Sequence, residues 1–165
     1  MALFPPIVAS SMPAFAIGDN TTNSVKIYYT LSNYNSTQRE SIKAVHVSVR
    51  RQSSNVNVLA DDNQIIEKEA LIQDEEDKLL NRYYITINSN DLKDPGFQKD
   101  VLYKVQLRFS SQTILETGLS AASFFTENIQ LFSEWSEVCI IKPIIAPIFY
   151  IDNFHYDKQD DYGQQ

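Results

Sequence analysis

Between Val101 and Phe109 the side chains alternate without a break: Val101, Tyr103, Val105, Leu107 and Phe109 share one parity, and Lys104, Gln106 and Arg108 most of the other. Strict period two, rich in β-branched and aromatic residues, specifies a strand with one buried and one wet face, here expected at the centre of the molecule. The pattern recurs upstream. Residues 24 to 31 set Val25, Ile27, Tyr29 and Leu31 against Lys26, Tyr28 and Thr30, and residues 82 to 88 set Tyr83, Ile85 and Ile87 against Tyr84 and Thr86. Residues 44 to 51 place Val45, Val47 and Val49 inward and His46, Ser48 and Arg50 on what reads as a solvated face. Together, Val25, Ile27, Tyr29, Val45, Val47, Val49, Tyr83, Ile85, Ile87, Tyr103, Val105 and Leu107 predict a single core.

The remaining stretches are less regular. Residues 5 to 17 suit an edge strand, because Pro13 cannot donate to a central ladder. The polar stretch Ser32 to Glu40 reads as a loop, and Val56 to Leu59 as a short strand. Gln64 to Ile72 has apolar ends around Glu67-Lys68-Glu69, an edge strand whose charges discourage stray pairing. Asp74 to Asp77 and Asp94-Pro95-Gly96 read as turns. Ser120 to Phe132 carries an N-cap serine and places Phe124, Phe125, Ile129 and Phe132 near helical spacing, predicting a helix across one end of the fold. Residues 132 to 143 form a last strand ending at Pro143. About seven strands, one short helix before the last of them and no βαβ alternation predict an all-β antiparallel β-sandwich.

The sandwich is expected to occupy residues 1 to 145, with 146 to 165 a linker or the start of a following module. Pro143 to Phe154 shares with Pro5 to Phe15 a mix of prolines, aliphatics and a phenylalanine. An exposed apolar run of this kind calls for a partner chain or domain, which makes Phe149, Tyr150 and Phe154 candidate contact residues.

Charge and chemistry mainly exclude. A net charge of -7 argues against a phosphate-binding surface, so nucleic acid is not an expected partner. The single cysteine, Cys139, cannot make an internal disulfide, and its apolar neighbours suit a core residue rather than a nucleophile. The opening Met-Ala-Leu-Phe-Pro-Pro lacks the basic region of a signal peptide, and no apolar run reaches the roughly 18 residues of a membrane span. His46 and His155 lie far apart in sequence, so neither catalysis nor a cofactor is expected. The acidic clusters at 61–62, 74–77 and 157–161 lack the spaced ligands and closing glutamate of a calcium loop, and no metal is expected. Tyr28 and Tyr84 point outward and could form an aromatic binding face.

Tyr103, early in its strand and shortly after Leu92 and Pro95-Gly96, resembles the tyrosine-corner strand of fibronectin type III modules. Ser133-Glu134-Trp135-Ser136 resembles half of the Trp-Ser box in the cytokine-receptor version of that fold. Met-Pro-Ala-Phe near the start, Val-Gln-Leu-Arg-Phe at the centre and Phe-Ser-Glu-Trp-Ser-Glu-Val-Cys-Ile-Ile-Lys-Pro at the end also look like the amino-terminal part of virion proteins from bacteriophages of gut Firmicutes. The resemblance covers residues 5 to 145. It implies a structural module of a tail, baseplate or particle surface, assembled in the host cytoplasm and oligomeric through contacts with other virion proteins or copies of itself. The alternative is an adhesion or carbohydrate-binding module of a secreted protein, which needs an aromatic platform. If Val138 and Ile140 face the core, Trp135 takes the outer face and stacks with Arg108 or Lys104, as the Trp-Ser box also implies. If Cys139 and Ile141 face inward, Trp135 is a core residue instead.

Overall fold

The computed structural model describes residues 3–14, 24–60, 64–127 and 131–142. The alternating stretches become β1 (Ile7–Ala14), β2 (Ser24–Thr30), β3 (Ala44–Arg51), β4 (Ile66–Glu69), β5 (Arg82–Asn88), β6 (Tyr103–Ser110) and β7 (Cys139–Ile141). A three-stranded sheet runs in the order β1-β2-β5 and a four-stranded sheet in the order β4-β3-β6-β7, with every pairing antiparallel. The chain is therefore mostly β, and the two sheets pack as a sandwich.

Register follows the hydrophobic parity. Val25, Ile27 and Tyr29 lie opposite Ile87, Ile85 and Tyr83, while Val45, Val47 and Val49 lie opposite Phe109, Leu107 and Val105. All of the residues expected in the core are buried there, joined by Leu31, Tyr34, Ile42, Leu59, Leu92, Phe97, Phe109 and Ile141. Tyr29 stacks on Tyr83 at 5.8 Å and meets Phe109 edge-on at 5.4 Å, and its hydroxyl accepts the Leu71 N–H at 3.1 Å. A buried phenol needs such a partner. Burial raises its pKa.

β1 and β4 are edge strands, as expected, and Pro13 lies in β1 opposite Val25. Residues 15 to 17 lie outside the described residues. Leaving the three-stranded sheet, the chain turns at Gly96, whose N–H donates to the Lys93 carbonyl at 2.8 Å after a cis Asp94–Pro95 peptide. The Tyr103 hydroxyl then accepts the Gln98 N–H at 3.0 Å, while Phe97 meets the Tyr103 ring edge-on at 5.4 Å. This clamps the start of β6 to its approach.

Local capping chemistry overrides several loop expectations. Within Ser32 to Glu40 a short helix, α1 (Ser36–Glu40), is closed by a reciprocal pair: Asn35 Oδ1 accepts the Gln38 N–H at 2.8 Å, and Gln38 Oε1 accepts the Asn35 N–H at 2.9 Å. Asp74 to Asp77 opens α2 (Glu75–Leu79) rather than a turn, and buried Asp77 accepts from Arg82 Nε at 2.6 Å. Val56 to Leu59 contributes only isolated bridges, Arg50 to Asn57 and Leu59 to Leu92. Of the helix expected over Ser120 to Phe132, α4 (Ala121–Glu127) is present, preceded by α3 (Ile114–Thr117); residues 128 to 130 lie outside the described residues, and Phe132 is not helical but bridges to Ser110 of β6.

Two parity expectations are corrected. Val138 and Ile140 are 49% and 43% exposed, whereas Ile141 is buried and Cys139 packs against the core. The regular strand is only Cys139–Ile141, so the phase of residues 132 to 138 does not carry into it. The outward face of β3 is not solvated either. His46 and Ser48 are buried, His46 because α4 and the segment around Phe132 lie over it.

Candidate interaction surface

The outer face of the four-stranded sheet is built by a segment that keeps step with β6 in an unusual stride. Ser133 N–H donates to the Phe109 carbonyl at 2.9 Å and Ser136 N–H to the Leu107 carbonyl at 2.7 Å. Their hydroxyl oxygens accept in return, Ser133 Oγ from the Phe109 N–H at 2.9 Å and Ser136 Oγ from the Leu107 N–H at 3.0 Å. Each serine thus supplies both a donor and an acceptor to one β6 residue. Three residues of the segment match two of the strand.

That stride brings the side chains of Phe132 and Trp135 to the same guanidinium. Arg108 Cζ lies 3.9 Å from the Phe132 ring centroid and 4.6 Å from that of Trp135. Gln106 Nε2 adds a bond to the Ser136 carbonyl at 3.1 Å. Arg108 is half-buried, and burial pushes its pKa down to about 10, so it stays charged at neutral pH. A partly desolvated cation over an aromatic face is worth about 0.5–2 kcal/mol per ring. Lys104, the other candidate, lies opposite Ile140 in register, and Arg108 is the stacking cation. Arg108→Ala is expected to red-shift Trp135 emission and increase its quenching by acrylamide. An emission spectrum indifferent to the change would mean that the stack is absent in solution.

Beside this ladder lies His46, opposite Arg108 on one side and Glu67 on the other. Its ring is enclosed by Phe125 at 5.1 Å, Phe132 at 5.0 Å and Phe124 at 5.6 Å. Neither ring nitrogen has a hydrogen-bond partner among the described residues, and Glu67 Oε1 is 3.7 Å from Nε2, beyond bonding reach. Burial first, then the nearby Arg108 charge, lowers the His46 pKa to about 3. The imidazole is neutral at pH 7.

The three-stranded sheet carries a second aromatic and cationic row on its outer face. Arg82 lies over Tyr28 at 4.1 Å, Tyr28 and Tyr84 are 6.0 Å apart, and Lys26 lies over Tyr84 at 4.1 Å while pairing with Asp74 at 3.0 Å. Tyr28 is outward but only 4% exposed and Tyr84 is half-buried, so the pair offers no open aromatic face. Phe149, Tyr150 and Phe154 lie outside the described residues.

No protein-family model matches the chain, and no curated protein matches it. Among the described residues no group of three or more His, Cys, Asp or Glu side chains is placed to hold a metal ion. A shallow depression of about 310 Å³ is bordered by Pro5, Ile7, Val8, Trp135 and Glu137, where β1 begins beside the ladder. Phe132, Ser133, Ser136 and His46 are the residues that alternation alone misses. For Phe132, Ser133 and Ser136 the signal in the sequence is the repeat Phe-Ser-x-Trp-Ser, in which both the aromatic and the serine recur after three residues; His46 has none of its own.

Proposed function

We propose that the chain is a fibronectin type III-like structural module of a bacteriophage virion, making protein–protein contacts in a tail, baseplate or particle surface. The observation that carries the contact role is the edge strand β7 and its approach, where Val138 and Ile140 leave apolar side chains 49% and 43% exposed and Leu102 nearby is 38% exposed. Beyond it the sequence runs into Pro143-Ile-Ile-Ala-Pro-Ile-Phe-Tyr. Apolar surface concentrated at an edge favours pairing with another chain.

The fibronectin type III-like reading is supported by the Tyr103 hydroxyl bonded back to Gln98, the hydrogen bond of a tyrosine corner, and by the Phe132–Arg108–Trp135 stack with its paired serines, which resembles a Trp-Ser box with phenylalanine in place of its first tryptophan. The virion placement rests on the sequence resemblance alone. An adhesive or carbohydrate-binding role draws less support, since Tyr28 and Tyr84 are engaged by Arg82 and Lys26 rather than displayed. In light scattering, the full chain is expected to form multimers, alone or with neighbouring virion proteins, and Val138→Lys with Ile140→Lys is expected to weaken them at least tenfold. Unchanged assembly in the doubly substituted chain would count against this surface.

A further inference from the structure

We propose that His46 is an acid-operated latch for α4: protonation of its ring loosens α4 and the Phe132 segment from the four-stranded sheet and uncovers an aromatic surface, while the sandwich core stays folded. The geometry makes the ring unable to accept a proton in place. It is fully enclosed, the cover meets it with the rings of Phe124, Phe125 and Phe132, and both nitrogens lack partners among the described residues. An imidazolium has two donors to satisfy and a charge to solvate.

The charged groups around it do not help. From β6, Arg108 faces the ring with the same charge the ring would acquire, and its own Nε has no partner among the described residues. From β4, Glu67 stands at 3.7 Å, but its Oε1 is taken by the Ile114 N–H at 3.0 Å. Burial raises the Glu67 pKa against the opposing Ile114 hydrogen bond, and neighbouring Glu116 of α3 adds to the rise, so acid tends to neutralise this carboxylate. The described side chains of α4 are Ala, Ser, Phe and Thr; its one titratable residue, Glu127 at its end, has a side chain outside those described.

The direction follows from linkage. Covered, the ring has its pKa lowered to about 3; released into water it titrates near its ordinary value of about 6.5. The closed state therefore has its full stability above about pH 6.5 and loses it progressively as pH falls toward 3. The core cluster between the sheets consists of Val, Ile, Leu, Tyr and Phe, without a carboxylate or imidazole, so acid has no comparable hold on it.

Hydrogen exchange at pH 7 and 4.5, corrected for the intrinsic pH dependence of exchange, tests the latch. In the native sequence, protection of the Phe124 and Phe125 amides is expected to fall about 10- to 100-fold at pH 4.5 while β2, β5 and β6 hold theirs. In His46→Phe the loss should vanish, and in Glu67→Gln it should persist. Equal loss in His46→Phe would overturn the proposal, because Glu67 or another carboxylate would then be responsible. Should His46→Phe fail to fold, NMR titration of the native imidazole decides: a ring that titrates near 6.5 with the α4 resonances unmoved overturns it, and a ring whose titration coincides with α4 opening supports it.

Discussion

Leu107→Ala should lower the unfolding free energy by about 3–4 kcal/mol, because it removes a fully buried side chain from the middle of the core and leaves a cavity there. Leu107 lies opposite Val47 on β3, inside a cluster fed by both sheets. Its neighbours cannot easily collapse into the space, since β6 is held by β3 on one side and by β7 and the Ser136 bonds on the other. A domain of this size is stable by only about 5–15 kcal/mol, so the loss is a large share. Urea unfolding monitored by circular dichroism measures it as a shifted midpoint at constant slope. A loss below about 1 kcal/mol would place Leu107 outside the core.

The second large effect is expected at Gly96. Its φ is +86°, and a Cβ there would sit 2.9 Å from Ser89 Cβ, 3.2 Å from Ser89 Oγ and 3.3 Å from the Ser89 carbonyl oxygen. Gly96→Ala therefore combines the left-handed penalty with a clash, and should cost about 2–4 kcal/mol. Gly118 is the internal control: its φ is +70°, with nothing within 4 Å of the built Cβ, so Gly118→Ala should cost only about 1 kcal/mol. Thermal denaturation of the two variants side by side gives the difference. Equal losses would mean that Ser89 yields and only the backbone conformation matters.

Period two read the sandwich core directly, because inward residues of β2, β3, β5 and β6 face an apolar layer and nothing else. It failed at His46 because outward does not mean wet: α4 and Phe132 cover the far side of β3, and a strand pattern carries no information about a distant segment folding over it. Strand parity places Trp135 on Arg108 only if Val138 and Ile140 face inward, yet Cys139 and Ile141 do so, and the indole meets Arg108 because residues 133 to 136 advance three for every two of β6. Extended-strand periodicity has no place for that stride. The polar runs at Asp74 and Asn35 point to a turn and a loop, although each begins a helix: Asn35 and Gln38 cap one reciprocally, and the Asp77 side chain accepts the Asp74 N–H at the start of the other.

The paired serines also restrict how this segment can change length. Surface connections generally absorb insertions and deletions, because their backbone is bonded to water rather than to a fixed partner. Between Ser133 and Ser136 that freedom is missing: each serine is tied through both backbone and hydroxyl to a fixed residue of β6, two positions apart. Glu134, exposed between them, is free to vary in identity. Removing or adding one residue would instead detach one serine from its β6 partner and carry Phe132 or Trp135 away from Arg108, so sequence drift here should be dominated by substitution and not by indels.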